Sequence, residues 1–125
     1  PVLARLRQPD FARRRLGALL LDQAFLAGLG NYLRAEILWS ARLSPERRPA
    51  HLPTEALAAL AGAIVDVPRL SYATRGAIEK VQHHDAAFEF HVFKREGDAC
   101  TRCGTTIRRI ADASRPLYFC PVCQA

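Results

Sequence analysis

The first 99 residues of this 125-residue sequence contain no cysteine. All four cysteines lie in the last 26 residues, at Cys100, Cys103, Cys120 and Cys123. Two pairs at this spacing, joined by an antiparallel hairpin, predict a tetrahedral zinc site. Two disulfides of a secreted domain are the alternative, but the cysteine-free remainder and the lack of a signal-peptide pattern count against it. Four thiolates leave no open coordination position, so we expect the zinc to be structural.

The sequence also lacks any apolar run approaching the roughly 18 residues of a membrane-spanning helix. We therefore expect no membrane partner and a cytoplasmic location. Hydrophobic residues make up 50% of the chain, which is enough to build a core. The length suits one domain, or a domain with a small metal-stapled appendage.

Lysine is scarce, since only two of the 18 basic residues are lysine and the rest are arginine. The formal net charge is +6, which favours a polyanionic partner. The planar fork of arginine binds phosphate with two hydrogen bonds, whereas lysine acts as a point charge. A GC-rich genome would produce the same excess of arginine, so composition alone leaves both explanations open.

Recognisable catalytic patterns are absent as well. There is no Ser-His-Asp spacing, no phosphate-binding Walker loop and no carboxylate pair with an evident acid and base separation. His83 and His84 fall in a linker predicted over residues 80–85, and Glu36 and Glu79 have no evident partner that would tune them for acid–base chemistry. We therefore assign no catalytic residue within this sequence.

The first 80 residues have helical periodicity. Residues 1–15 are rich in arginine and are predicted to be a basic lead-in outside the core. A short helix over 16–22 is followed by a glycine-punctuated turn, after which Asn31 is predicted to cap a second helix ending near residue 43. The most regular amphipathic pattern begins at Thr54 and is expected to end or kink at Pro68.

The period changes towards the C-terminus. Alternating residues over 88–93 predict a strand. Residues 105–110 and 116–119 are predicted as the arms of a hairpin whose tip is 111–115. The fold class is therefore mostly α with a small β zinc hairpin. The predicted units are a helical domain over residues 1–84 and a zinc hairpin over residues 85–125.

Two places in the sequence are suited to binding phosphate. Gly28 and Gly30 lead into the helix that starts at Asn31, and a helix N-terminus favours an anion. Asn31 could cap the helix, donate to a phosphate, or do both. Arg115 lies at the predicted tip of a zinc-clamped hairpin, where a rigid arginine can contact a nucleic-acid backbone. A simple surface arginine is the alternative there.

Residues 20–39, LLDQAFLAGLGNYLRAEILW, resemble the helix-two-turn-helix segment of the formamidopyrimidine-DNA glycosylase and endonuclease VIII family. Three further segments are similar to the endonuclease VIII branch in particular: residues 71–76, residues 80–84 and residues 114–124. The resemblance covers most of residues 9–125. It implies a helix-two-turn-helix domain followed by a four-cysteine zinc finger.

The resemblance also implies a function. The implied function is base-excision repair, in which the enzyme removes oxidised bases, mainly pyrimidines, and cleaves the abasic strand by β,δ-elimination. In such an enzyme Asn31 and Arg115 would grip phosphates around the extruded nucleotide, and Gly30, Tyr72 and Arg75 would also lie at the DNA. The implied partner is double-stranded DNA with damaged bases or abasic sites. The protein would act as a monomer in the bacterial cytoplasm or nucleoid.

One departure from the family bears on mechanism. The family's nucleophile is an N-terminal proline followed by glutamate on a separate β-rich domain, whereas here Pro1 is followed by Val2. We therefore expect a C-terminal fragment of a glycosylase, inactive alone. Two other readings remain: a non-enzymatic nucleic-acid or ribosome-binding zinc module, and a zinc ribbon that binds protein.

Overall fold

The computed structural model describes the backbone of residues 1–81 and 89–125, and the side chains of these except 73–81. Within these described residues, six helical elements precede one antiparallel hairpin. They are α1 (Val2–Leu6), α2 (Pro9–Ala12), α3 (Leu16–Leu19), α4 (Asn31–Ala41), the 3₁₀ turn η1 (Pro49–His51) and α5 (Thr54–Val81), followed by β1 (Arg108–Asp112) and β2 (Arg115–Phe119). The expected class, mostly α with a small β hairpin, is confirmed.

Helix α4 lies at the centre of the molecule and packs against both α5 and β2. It is buried around most of its circumference, from Leu33 through Trp39. The core around it combines apolar side chains of the helical part with apolar side chains of the zinc part, including Ile107 and Leu117. The two predicted units thus share one core.

The arginine-rich residues 1–15 are not a lead-in outside the core, and that prediction is wrong. They form α1 and α2, and Leu6 is completely buried. Arg5 Nε donates to the carbonyl oxygen of Phe25 at 2.8 Å. Apolar residues at helical spacing between the arginines supply the buried face, and the long arginine stems cover it.

Three helix boundaries also differ from expectation, the first being that α3 ends at Leu19 and not at residue 22. The N-cap of α4 is Gly30, with extended backbone, and Asn31 is the first helical residue. The side chain of Asn31 makes no capping hydrogen bond because it bonds elsewhere. Helix α5 continues through Pro68 to Val81, since its packing against α4 offsets the cost of the proline. The rest of the predicted linker, with His83 and His84, lies outside the described residues.

The predicted strand over 88–93 is absent from the portion that the structure describes, residues 89–93. The amide groups of residues 91–93 bond a carboxylate of α4 instead of a neighbouring strand. The hairpin does form, with Asp112 paired to Arg115 across a turn of only two residues. Arg115 therefore begins β2 and is not part of the turn, because the arms are longer towards the tip than predicted.

One further fold expectation concerns membranes. Among the helices described, none is both long and apolar enough to cross a bilayer.

Candidate nucleic-acid interface and metal centre

The four cysteine sulfurs converge at one point, all within 4.8 Å of one another. Cys100 Sγ lies 3.8 Å from Cys123 Sγ, and Cys103 Sγ lies 3.5 Å from Cys120 Sγ. Each of these two close contacts thus joins a cysteine of the first pair, Cys100 and Cys103, to a cysteine of the second pair, Cys120 and Cys123. Four soft sulfur ligands in this arrangement are the donor set that zinc prefers in structural sites.

The surroundings of the sulfurs suit a cation. Burial opposes ionisation of Cys100, but hydrogen bonds from the Trp39 indole and from backbone amides outweigh it and lower the pKa of this thiol to about 6. Burial and contact with the other sulfurs raise the pKa of Cys123 to about 12. Four thiolates this close repel one another unless a metal ion compensates their charge. The residues therefore fit a structural zinc ion, and the prediction of this cofactor is confirmed.

Trp39 on α4 connects the helical part to the zinc centre. Its indole Nε1 donates to Cys100 Sγ at 3.5 Å. The guanidinium carbon of Arg102 lies 3.6 Å from the centre of the indole ring, and Arg102 also donates to the carbonyl oxygens of Trp39 and Ser40. An arginine at these positions satisfies unpaired carbonyl groups at the end of α4. The turn between the first two cysteines is thus fixed to this helix.

Gln124 makes a second connection to the zinc module. Its side chain is buried, accepts from the amide of Cys120 at 2.9 Å and donates to the carbonyl oxygen of Leu43 at 3.1 Å. The knuckle that holds the second cysteine pair is therefore fixed to the segment that follows α4.

Glu36 makes a third connection, and sequence reasoning missed it. Its buried carboxylate accepts from the backbone amides of His91, Val92 and Phe93 at 2.9, 2.9 and 3.0 Å. The His91 ring nitrogen Nδ1 also lies 3.1 Å from Glu36 Oε1. Sequence reasoning identified none of these partners because they lie 55 to 57 positions away. These amides would otherwise lack acceptors, so the carboxylate replaces the strand partner of this segment.

Asn31 and Arg115 lie together at the seam between α4 and the hairpin. The Asn31 amide nitrogen donates to the carbonyl oxygen of Pro116 at 2.9 Å. The Asn31 amide oxygen accepts from Arg34 Nη2 at 2.8 Å, and the same Nη2 reaches the Arg115 carbonyl oxygen at 3.5 Å. Two predicted phosphate contacts, 84 positions apart in the chain, are thus joined through one buried guanidinium.

Arg34 itself is completely buried. Its Nη1 donates to the carbonyl oxygens of Gly17 and Asp112, both at 3.0 Å, and lies 3.3 Å from Asp112 Oδ1. Burial is the main cause that lowers its pKa to about 10, with Asp112 acting in the opposite direction. Arg34 therefore stays charged at neutral pH.

The exposed side of this seam carries Arg115. Arg115 is exposed to solvent, whereas its neighbour Asp112 is buried. An open groove of about 470 Å³ lies along the hairpin. It is lined by Arg109, Ile110, Ala111, Ser114, Arg115 and Pro116. The groove is open to solvent, and two of its lining residues, Arg109 and Arg115, are arginines.

The other predicted DNA contacts lie on two elements. Gly30 is exposed directly before α4, and Tyr72 is 60% exposed on α5. The preceding residue, Ser71, shares a 3.0 Å hydrogen bond with the Tyr32 hydroxyl near the start of α4. This bond fixes the backbone next to Tyr72 relative to α4. Arg75 is a helical residue of α5 whose side chain the structure does not describe.

Arg34, Asp112 and Gln124 were not predicted as functional. One signal for Arg34 is present in the sequence, because it lies three residues after Asn31 and so on the same helical face. A second signal is that Arg34, with Glu36, is a charged residue set between the apolar residues Leu33 and Ile37. Nothing in the sequence indicates the partners of Asp112, which come from residues more than 75 positions away.

The fold and the site together define a helix-two-turn-helix protein with a four-cysteine zinc finger. Residues 3–82 match the family described as the formamidopyrimidine-DNA glycosylase H2TH domain, and residues 97–125 match the zinc finger found in FPG and IleRS. Because the first match spans more than half of the chain, the chain belongs to the formamidopyrimidine-DNA glycosylase H2TH domain family.

Individual relatives agree with this assignment. Endonuclease 8 of Pectobacterium atrosepticum is 55% identical over 124 residues, and Endonuclease 8 of an Enterobacter species is 56% identical over 123 residues. These alignments cover 99% and 98% of this chain but 47% of each relative, so the chain spans about half the length of the curated relatives it matches.

A solved structure agrees as well. The FPG (MutM) protein of Lactococcus lactis, in complex with DNA containing FAPY-dG, superposes with a TM-score of 0.79 at 28% identity, covering 98% of this chain and 45% of that one. The resemblance inferred from the sequence is confirmed. A ribosome-binding or purely protein-binding zinc module is not favoured by these matches.

Proposed function

We propose that this chain is the DNA-binding part of a base-excision repair glycosylase and abasic-site lyase that acts on oxidised bases, mainly pyrimidines. In this proposal it binds double-stranded DNA at damaged bases or abasic sites. Base removal and β,δ-elimination are assigned to the portion of the relatives that the chain does not span. The Endonuclease 8 relatives and the DNA-bound MutM structure support this proposal.

The juxtaposition of Asn31 and Arg115 carries the proposal. Asn31 lies in the N-terminal turn of α4, and Arg115 contributes a charged side chain at the zinc hairpin. Hydrogen bonds from Arg34 to both residues fix the distance between them. Extruding a nucleotide costs a few kcal/mol of stacking and pairing. Phosphate contacts on both sides of the extruded nucleotide would offset that cost and hold the backbone in its bent form.

The zinc ion serves this arrangement indirectly. It ties the two cysteine knuckles together at the base of the hairpin, and Trp39 and Gln124 fix those knuckles to the helical part. A hairpin held at its base loses little conformational freedom when it meets DNA, so its arginine binds at a lower entropic cost. The zinc therefore positions a contact and takes no part in chemistry.

Further parts of the proposal follow the family. Gly30, Tyr72 and Arg75 are proposed as additional DNA contacts, and the helical unit is proposed to span residues 1–84 with the zinc unit over residues 85–125. We propose that the protein acts as a monomer in the bacterial cytoplasm, at the nucleoid.

Fluorescence anisotropy with a duplex carrying a stable abasic-site analogue tests the proposal. The zinc-loaded chain is expected to bind with a dissociation constant on the order of 10⁻⁴ to 10⁻⁶ M and a steep dependence on salt. Arg115→Ala should weaken binding across sequences and reduce the salt slope by about one. Arg108→Ala, which removes an exposed charge from β1, is the matched control.

Three results would contradict the proposal. The first is an Arg115→Ala variant whose salt slope equals that of the parent chain. The second is an equal loss in the Arg108→Ala control. The third is tighter binding to structured RNA than to the damaged duplex, which would support a ribosome-binding module instead.

A further inference from the structure

Asp112 is the direct cross-strand neighbour of Arg115. Opposite charges at such positions of an antiparallel pair normally attract each other. Within the part of the chain that the structure describes, however, no ion pair joins these two residues. The Asp112 side chain is only 2% exposed, its Oδ2 lies 2.5 Å from Arg15 Nη2, and its Oδ1 lies 3.3 Å from Arg34 Nη1. The carboxylate is therefore held inside the protein, away from the exposed arginine.

Gly17 leaves the space in which the Asp112 carboxylate lies. A Cβ atom on Gly17 would lie 2.3 Å from Asp112 Oδ1 and 2.8 Å from Asp112 Cγ, well inside van der Waals contact. The carboxylate thus occupies the space of a side chain at position 17. The carbonyl oxygen of Gly17 accepts from the same Arg34 Nη1 that faces the carboxylate. Glycine is required here for close approach and not for its backbone angles.

Arg15 is itself held in place. Its Nε and Nη2 donate to the two oxygens of Glu46 at 3.0 and 2.9 Å, and Nη2 also reaches Asp112. Two arginines and two carboxylates therefore form a cluster with no net charge. Because the charges of this cluster largely offset one another at a distance, they do little to cancel the charge that Arg115 presents to an approaching phosphate.

The turn next to Asp112 is strained. Ala113 and Ser114 have φ angles of 53° and 65°, in the left-handed region that residues other than glycine rarely adopt. Residues on both sides of this turn are fixed by Arg34, which donates to the carbonyl oxygens of Asp112 and Arg115. The strained geometry is thus held by contacts outside the hairpin.

We propose that Asp112 is the positioning residue for Arg115. Its carboxylate, seated in the space left by Gly17 and held by Arg15 and Arg34, fixes the start of β2. Among the described residues, no carboxylate then pairs with the Arg115 guanidinium. The guanidinium is then available to a phosphate of bound DNA. This inference rests on the proposed function, because that function supplies the phosphate.

The test compares Asp112→Asn, Arg115→Ala and the double variant in the anisotropy assay with the abasic-analogue duplex. Simple electrostatics predicts that removing a negative charge tightens binding. Positioning predicts the opposite: Asp112→Asn weakens binding roughly tenfold, the scale of one lost charge-assisted hydrogen bond. In the Arg115→Ala background the same substitution should have no further effect.

Asp98→Asn is the matched control, since it removes an exposed carboxylate from the same zinc module. It should leave binding unchanged or slightly tighter. The proposal fails if Asp112→Asn behaves like this control, or if its effect multiplies with that of Arg115→Ala. If the parent chain shows no salt-dependent binding to any duplex, the proposed function fails and this inference fails with it.

A second variant covers the case in which Asp112→Asn does not fold. Gly17→Ala leaves every charge in place but displaces the carboxylate by steric contact, so it should weaken binding to a similar extent and lose its effect in the Arg115→Ala background. Melting temperature and zinc content identify variants that are merely unfolded. A folded, zinc-loaded Gly17→Ala variant that binds like the parent chain would overturn the proposal.

Discussion

The indole nitrogen of Trp39 lies 3.5 Å from the sulfur of Cys100. Trp39 is the single tryptophan of the sequence. The His91 ring stacks on it at a centroid distance of 4.1 Å and an interplanar angle of 10°, and Arg102 also lies over the indole. Because both contacts are too close to share one face, they enclose the indole from opposite sides. The intrinsic fluorescence of the protein therefore reports on the zinc centre.

Removing zinc should unfold the hairpin and change the Trp39 fluorescence in the same step. Metal binding of about 10 to 16 kcal/mol is itself folding free energy in modules of this kind. A strong chelator, or Cys103→Ser, should abolish the dispersed amide resonances of residues 108–119. The helical circular dichroism should persist better, since α4 and α5 pack directly against each other. A hairpin that keeps its resonances after complete metal removal would contradict a structural site.

Trp39→Phe should speed the loss of zinc without unfolding the helices. The substitution keeps an aromatic ring in the stack but removes the hydrogen bond to Cys100. Loss of such an outer contact weakens metal binding by on the order of tenfold. Zinc transfer to a colorimetric chelator measures the effect, with Tyr72→Phe as a control on the exposed face of α5. Equal transfer rates in both variants would show that the indole bond does not matter.

Glu36→Gln should destabilise the protein by about 2 to 3 kcal/mol, because three amide donors lose part of a charged, buried acceptor. Urea denaturation measures this as a lower midpoint. Glu55→Gln, in the exposed first turn of α5, should cost well under 1 kcal/mol. If the two losses are equal, the carboxylate does not anchor residues 91–93.

Local patterns predicted those features that depend on neighbours in sequence. The cysteine spacing predicts the zinc site because each knuckle is a short turn. The regular apolar stripe after Thr54 predicts the start of α5 for the same reason. Both features are formed by residues a few positions apart, which a pattern in the sequence can show directly.

Features that depend on distant partners could not be predicted. Residues 89–93 have an alternating pattern, but no strand of the described part of the chain pairs with them, because Glu36 accepts from the amides of residues 91–93. Pro68 would end an isolated helix, yet packing carries α5 past it. The close approach of Gly17 to Asp112 joins residues 95 positions apart, and only the folded chain brings them together.

Arg34→Met should be the most destabilising substitution at the seam. It leaves Asn31 Oδ1 and the carbonyl oxygens of Gly17 and Asp112 without their buried donor, and it removes one of the two cations beside the Asp112 carboxylate. Breaking a buried pair by removing one partner typically costs about 3 to 5 kcal/mol.

Arg34→Lys should recover part of that loss. The ammonium group can face the same acceptors, but it lacks the fork that spans from Asn31 to Asp112. Urea denaturation of both variants, with the exposed Arg7→Met as control, gives the comparison. A loss for Arg34→Met no larger than that of the control would mean that the seam is held by apolar packing alone. A full recovery with lysine would mean that the charge suffices and the fork does not matter.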